Sequence, residues 1–167
     1  MKKIIICAVG INGVIGNNSS INGMPWDEPE EYEHYLKCVY GHTVIMGRKS
    51  WEIFNKDLDT VKSIVVSHQK HIPGAVTAPD LSSALKQAEA LGDVVFIAGG
   101  SSIYRESLES NYVDEMYLST IYGCYKGDCY FPKWDPENWT VVKKDRHAKF
   151  EFVIWKNSKP TDFLKEE

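Results

Sequence analysis

Apolar residues in this chain follow two rhythms. Residues 4–9 run Ile-Ile-Ile-Cys-Ala-Val without a polar break, and residues 44–46, 63–66 and 94–98 repeat the type in shorter form. Strands that read as near-continuous apolar runs are covered on both faces, the environment of a parallel sheet. Between them the spacing lengthens to the helical period. Tyr32, Tyr35, Leu36 and Val39 stand at i, i+3, i+4 and i+7 and predict an amphipathic helix over residues 28–39, with Pro29 in a first turn that needs no N–H from it. Residues 49–54 predict a short helical turn. Leu81, Ala84, Leu85 and Ala88 predict a helix over 81–91, capped by Asp80 and stopped at Gly92. A fourth helix is expected from 101 or 102 to about 108. This alternation predicts an α/β fold, a single-domain mainly parallel central sheet with flanking helices. The end of the chain differs. After residues 116–121, the segments 139–143 and 149–156 are closely spaced, and Phe150, Phe152 and Ile154 alternate with Glu151, Val153 and Trp155, which predicts a C-terminal antiparallel hairpin. No repeat or linker interrupts the chain, so one domain is expected over 1–158, with 159–167 a frayed tail.

Composition narrows the function classes. The chain has 167 residues, 43% of them hydrophobic, enough to bury a core of ordinary size. A formal net charge of −4 and a pI near 5.7 argue against nucleic acid or an anionic membrane surface as partner and favour a small molecule. Lys2-Lys3 before residues 4–9 imitates the start of a signal peptide, but the apolar run is short and ends at Gly10-Ile11-Asn12-Gly13 without a cleavage site. No apolar run approaches membrane-spanning length. Cys7, Cys38, Cys124 and Cys129 form no C-x-x-C pair and the histidines no H-E-x-x-H, so no metal site is expected and the thiols read as reduced, in a cytoplasmic protein.

Candidate chemistry sits at two kinds of place. At about 100° per residue, Glu31 falls roughly 90° from the centre of the first helix's apolar stripe, beside Tyr35 and Cys38, whereas Glu30 and Glu33 face water. A carboxylate at the edge of an apolar cleft costs stability unless paired, which marks it for ligand binding or proton chemistry. The alternative is a first-turn Glu favoured by the helix dipole. Ligands of open α/β sheets bind beyond the carboxyl ends of the strands. There, Gly99-Gly100-Ser101-Ser102 and Gly47-Arg48-Lys49-Ser50 each place glycine before a helical turn, where backbone N–H groups can approach an anion. A tight turn and a solvated basic loop would look the same. Two such places on one sheet suggest a dinucleotide with separated phosphates. G-x-G-x-x-G after the first strand, G-x-x-x-x-G-K-[ST] and G-x-S-x-G are all absent, which sets aside the usual dehydrogenase fingerprint, the P-loop and a serine nucleophile elbow.

Taken in order, Ala8, Val14-Ile15-Gly16, Met24-Pro25-Trp26 with Glu31, the run from Val44 to Trp51, Ile97-Ala98-Gly99-Gly100, Ile103-Tyr104, and Gly127-Asp128 before Phe131-Pro132 resemble dihydrofolate reductase over almost the whole chain. The resemblance implies NADPH-dependent reduction of 7,8-dihydrofolate to tetrahydrofolate, by hydride transfer to pterin C6 and protonation of N5. It implies NADPH across the strand ends, with its pyrophosphate near Gly99, Gly100, Ser101, Ser102, Gly47 and Ser50, and with Ala98, Ile103 and Tyr104 beside it. Arg48, Lys49, Ser67 and His68 would face the 2′-phosphate. Ile15 and Gly16, with the loop reaching Trp26, would close over the nicotinamide, which Ala8 would also touch. Glu31 would take the family's acidic position against the 2-amino group and N3 of the pterin, with Trp26 beside the proton's route and the Ser119 hydroxyl, where a threonine is usual, tying Glu31 to the pterin. Ile6, Tyr32, Tyr35, Phe54 and Leu58 would line the pterin and benzoyl pocket.

Two departures stand out. The family's arginine for the folate α-carboxylate should fall just before Lys62, where the chain has Thr60-Val61, and an ammonium from Lys56 or Lys62 cannot reproduce the planar guanidinium fork. Weaker hold on the glutamate tail is therefore expected. The loop over 17–23 is about three residues longer than in compact bacterial members, by the same resemblance, so its closure is expected to differ. The resemblance also implies a cytoplasmic monomer open to antifolate inhibitors. Two other readings share the fold: a reductase of a riboflavin-pathway pyrimidine, and a nucleotide-binding protein without turnover.

Overall fold

In the computed structural model, residues 1–16, 24–58, 62–68 and 71–163 are described. In chain order the elements are β1 (Lys2–Gly10), β2 (Val14–Gly16), α1 (Pro29–Val39), β3 (Thr43–Gly47), α2 (Arg48–Phe54) running into a 3-10 turn (Asn55–Asp57), β4 (Lys62–Val66), β5 (Val76–Ala78), α3 (Leu81–Glu89), β6 (Val94–Ile97), α4 (Ser101–Ser110), β7 (Glu115–Ile121), β8 (Cys129–Tyr130), β9 (Trp139–Arg146) and β10 (Phe150–Asn157). Eight strands form one sheet in the order β5-β4-β3-β6-β1-β7-β10-β9. The first six pair in parallel, and the β9–β10 hairpin adds antiparallel to β7. This is the mainly parallel sheet with a C-terminal hairpin that the two rhythms predict.

The unbroken apolar run of β1 is explained by its two covered faces. Ile5 and Cys7 enter a core with Ile45, Ile64, Leu85, Val95, Ile97 and Met116. The alternate residues Ile4 and Ile6 enter a second core with Val39, Val44, Met46, Trp51, Val65 and Phe96. Successive strand side chains point to opposite faces, so a strand buried on both must be apolar at every position. A third cluster, Trp26 with Ile121, Phe150 and Phe152, joins the hairpin to the segment before α1.

Asp80 caps α3 as expected, its carboxylate accepting from the Ser83 N–H at 2.7 Å. That helix ends at Glu89, short of Leu91, whereas α4 runs on to Ser110, where Asn111 in the left-handed region (φ 60°) closes it. β9 extends to Arg146 rather than 143. Three short strands escape the pattern: β5, and the separate two-stranded ribbon of β2 with β8. Each has two or three residues, too few to show a period. The expectation of a frayed tail from residue 159 is corrected. Thr161 N–H donates to the Asn111 carbonyl at 2.8 Å, the Asn111 amide donates to the Lys159 carbonyl at 2.9 Å, and Phe163 is buried against Tyr112. One apolar residue docks the segment; residues 164–167 lie outside the described part.

Candidate active site

A cavity of about 380 Å³ opens where α1 lies over the carboxyl ends of β1 and β6. Its wall on the α1 side begins at Glu28, the N-cap residue, whose carbonyl accepts from Tyr32 N–H at 3.1 Å. Pro29 follows in the first turn, where its fixed φ suits the helix and no N–H is missed. The same turn points Glu31 inward. Glu31 and Val39 are the buried residues of α1, so Glu31 lies deeper than the stripe of Tyr32, Tyr35 and Leu36, rather than at its edge. The sequence spacing gives the helix face, but it does not show that the loop carrying Trp26 closes over that face.

Ser119 is what makes this burial tolerable. In the parallel register Ala8 lies level with Ser119, and in the antiparallel one Ser119 lies level with Phe152. The Ser119 side chain, itself buried, hydrogen-bonds the Glu31 carboxyl. Burial is the main influence on Glu31 and pushes its pKa up to about 7; the Ser119 hydrogen bond opposes the rise and the charge of Glu28 adds to it. Trp26 is buried and meets the edge of Tyr125 at 5.3 Å. Burial also pushes the Cys7 thiol up to about 12 and the Tyr35 hydroxyl above its usual range, which leaves Glu31 as the cavity group poised to exchange a proton near neutral pH.

At the far end of the cavity three glycines leave the backbone bare. Gly99 has φ +113°, a conformation L side chains rarely adopt, and a Cβ there would sit 3.2 Å from Ser50 Oγ. Gly47 N–H donates to the Gly99 carbonyl at 2.8 Å and joins the ends of β3 and β6. α4 opens at Gly100 without a side-chain cap, so the orphan N–H groups of its first turn have no side-chain acceptor. Such a cradle of bare backbone and helix N-terminus suits a phosphate. The buried Tyr104 hydroxyl donates to the Ile6 carbonyl at 2.7 Å, locking α4 to β1.

Of the residues singled out from sequence, the cavity is lined by Ile6, Ala8, Ile15, Trp26, Glu31, Tyr32, Tyr35, Ser50, Phe54, Lys56, Ala98, Gly99, Gly100 and Tyr104. Gly47 and Ile103 pack beside the glycine cradle, and Ser101 and Ser102 form the first turn of α4. Gly16 accepts from Asp128 N–H at 3.2 Å in the β2–β8 ribbon. Arg48 and Lys49 are exposed at the start of α2, level with Ser67 and His68 because Gly47 registers with Val66. Arg48 Nε lies 2.9 Å from Glu52 one turn on. Leu58 does not line the cavity; it is buried in the core beneath α1 and α2. Thr60 and Val61, and the loop over 17–23, fall outside the described residues. Sequence reasoning missed Cys7, Asp27, Glu28, Ile53 and Asp57 as wall residues. Ile53 reaches the wall from α2 and Asp57 from the turn that follows it, and no spacing rule signals that.

Fold and site together define a class: an α/β protein with a cavity at the carboxyl ends of parallel strands, a buried carboxyl at one end and a stretch of bare glycine backbone before a helix at the other. The sequence model for "Dihydrofolate reductase" matches residues 3–164. A dihydrofolate reductase of Staphylococcus aureus is 32% identical over 142 residues, 85% of either chain. Dihydrofolate reductase HdrB of Haloferax volcanii is 27% identical over 171 residues, covering 96% of this chain and 86% of that one. The structure of a dihydrofolate reductase from Enterococcus faecalis complexed with NADP(H) and RAB-propyl shares the fold, with a TM-score of 0.83 at 21% identity over 95% of this chain and 97% of that one. The chain belongs to the dihydrofolate reductase family. It is thereby an NADPH-dependent oxidoreductase, and the riboflavin-pathway reading is set aside. Among the described residues no three His, Cys, Asp or Glu side chains are grouped to hold a metal, and no helix is long and apolar enough to cross a membrane.

Proposed function

We propose that this cavity reduces 7,8-dihydrofolate, with Glu31 as the group that orients the pterin and supplies the proton's route to N5. The observation that carries this reading is the buried carboxyl of Glu31, hydrogen-bonded by Ser119 and raised to about 7, on the wall of a cavity lined by Ile6, Ala8, Trp26, Tyr35 and Phe54. A carboxylate's two oxygens match the two adjacent N–H donors of a 2-aminopyrimidine ring. Ser119, bonded to Glu31, fixes the orientation of that carboxyl. Trp26 shuts water out from one side.

NADPH fits the bare-backbone cradle. Gly47, Gly99, Gly100 and the first turn of α4 would hold the pyrophosphate, and Arg48 with Lys49, beside Ser67 and His68, would meet the 2′-phosphate. When bound, NADPH supplies the hydride; the chain supplies position and electrostatics. Glu31 holds a proton at its carboxyl near neutral pH, where free Glu would have lost it. The reading extends to a cytoplasmic monomer that binds antifolates in the same cavity.

The test is NADPH oxidation with dihydrofolate by the wild-type chain and Glu31→Gln across pH 5 to 8. The wild type should turn over, with the rate falling as pH rises through about 7, and the variant should lose about 10²-fold or more, the usual worth of a positioned acid–base group. A variant within a few-fold of wild type, or a wild type inert toward dihydrofolate, would overturn the assignment.

A further inference from the structure

The charges of the cavity wall are lopsided. Among the described residues it carries four carboxyl groups, Asp27, Glu28, Glu31 and Asp57, against one ammonium, Lys56. Glu31 is buried, whereas Asp57 and Lys56 are exposed on the rim formed by the 3-10 turn after α2. Asp57 is fastened there. The Tyr32 hydroxyl donates to Asp57 Oδ2 at 2.5 Å, from α1 across to that turn. Tyr32 is in turn braced by Tyr35, stacked at 6.0 Å, and by Phe54 at 6.1 Å. Burial and the neighbouring Asp57 raise the Tyr32 hydroxyl's pKa, so it stays a neutral donor.

From this geometry we infer that Asp57, held by Tyr32 over the aromatic wall, is a specificity-determining residue that disfavours anionic substituents on the bound ring and favours dihydropterins with a neutral or cationic side chain. This rests on the reading that the cavity takes a dihydropterin. An exposed aspartate with freely turning rotamers would be hydrated and screened, and a ligand carboxylate could avoid it. A hydrogen bond that fixes it at the mouth keeps the like charge in the path of any substituent leaving the cavity, where low-dielectric walls focus the repulsion. Lys56 offers one compensating charge on the same rim, so the effect is one of selectivity rather than exclusion. Because the repulsion is long-range and partly exposed, salt should weaken it.

The experiment compares two substrates, dihydrofolate with its carboxylate tail and 6-methyl-7,8-dihydropterin without one, in the wild type, Asp57→Asn and Tyr32→Phe, at 50 and 500 mM salt. The readout is the ratio of kcat/KM for dihydrofolate to that for the dihydropterin. Asp57→Asn should raise this ratio about 3- to 10-fold at low salt, carried by KM, with a smaller rise in Tyr32→Phe, and added salt should raise the wild-type ratio but not the Asn variant's. An unchanged or falling ratio in Asp57→Asn would overturn the inference. Calorimetric binding of two 2,4-diaminopteridines, one with a glutamate tail and one without, reads the same discrimination without turnover. If neither substrate turns over while Asp57→Asn still shifts that binding ratio, the catalytic reading fails and the role of Asp57 stands. If turnover is normal and both ratios are unmoved, only the role of Asp57 fails.

Discussion

Glu31 shows what one buried ionisable side chain costs. Its pKa rises from the ordinary 4.5 to about 7, so the folded chain holds a proton that the unfolded chain releases. The stabilisation this gives is fully present below pH 4.5 and is lost as pH rises through about 7. At 1.36 kcal/mol per pH unit the loss amounts to about 3 kcal/mol by pH 8. Glu31→Gln has no such charge to bury. Urea denaturation of the two proteins should therefore show the variant gaining on the wild type between pH 4.5 and 7, by a gap that then levels off; a pH-independent gap would mean that the carboxylate is compensated in the fold. Ser119→Ala should act in the opposite sense at the same place. It leaves the carboxyl without its buried donor, raises the Glu31 pKa further, and shifts the pH dependence of turnover upward, which a pH–rate profile measures.

At the scale of elements, short and irregular pieces decide more than the long ones. The β2–β8 ribbon has five residues in all, yet it carries Ile15 onto the cavity wall. Its closeness depends on Gly127, where a Cβ would overlap the Gly16 carbonyl oxygen and lie 2.5 Å from Val14 Cγ1. Gly127→Ala should cost roughly 1–3 kcal/mol, as overpacking does, and should raise KM for NADPH by loosening Ile15. Thermal melting and steady-state kinetics on the same preparation check both halves. Asp80→Ala, by contrast, removes only the α3 cap, far from the cavity. It should cost about 1 kcal/mol with KM unmoved. Helix α3 was legible down to its cap because Asp80 and its apolar stripe are local signals, whereas the ribbon was illegible because two and three residues carry no period.

For the whole molecule, the site is a product of assembly. Glu31 on α1, Ser119 on β7, Gly99 after β6 and Asp57 after α2 meet only because β1 lies between β6 and β7 and α1 packs across their ends. Ligand should accordingly stabilise the entire fold: NADPH at a hundred times its Kd should add about 2.7 kcal/mol, read as a rise in Tm, and Gly99→Ala, forced into φ +113° against Ser50, should abolish most of that rise. A full ligand-induced shift in the Gly99→Ala protein would rule out the cradle as the phosphate site. The sequence by itself determined the class of fold, since unbroken apolar strands alternating with 3.6-period stripes can be satisfied only by a sheet covered on both faces. It also marked Glu31 and the glycine turns, because a carboxylate near an apolar stripe and glycines after strands are local anomalies. Tertiary structure alone decided how deep Glu31 lies, that Leu58 belongs to the core rather than the cavity wall, that Phe163 docks the C-terminal segment, and that Asp57 is fastened to the rim by Tyr32. Each of these is a contact between residues distant in the chain, and periodicity carries information only about neighbours on the same element.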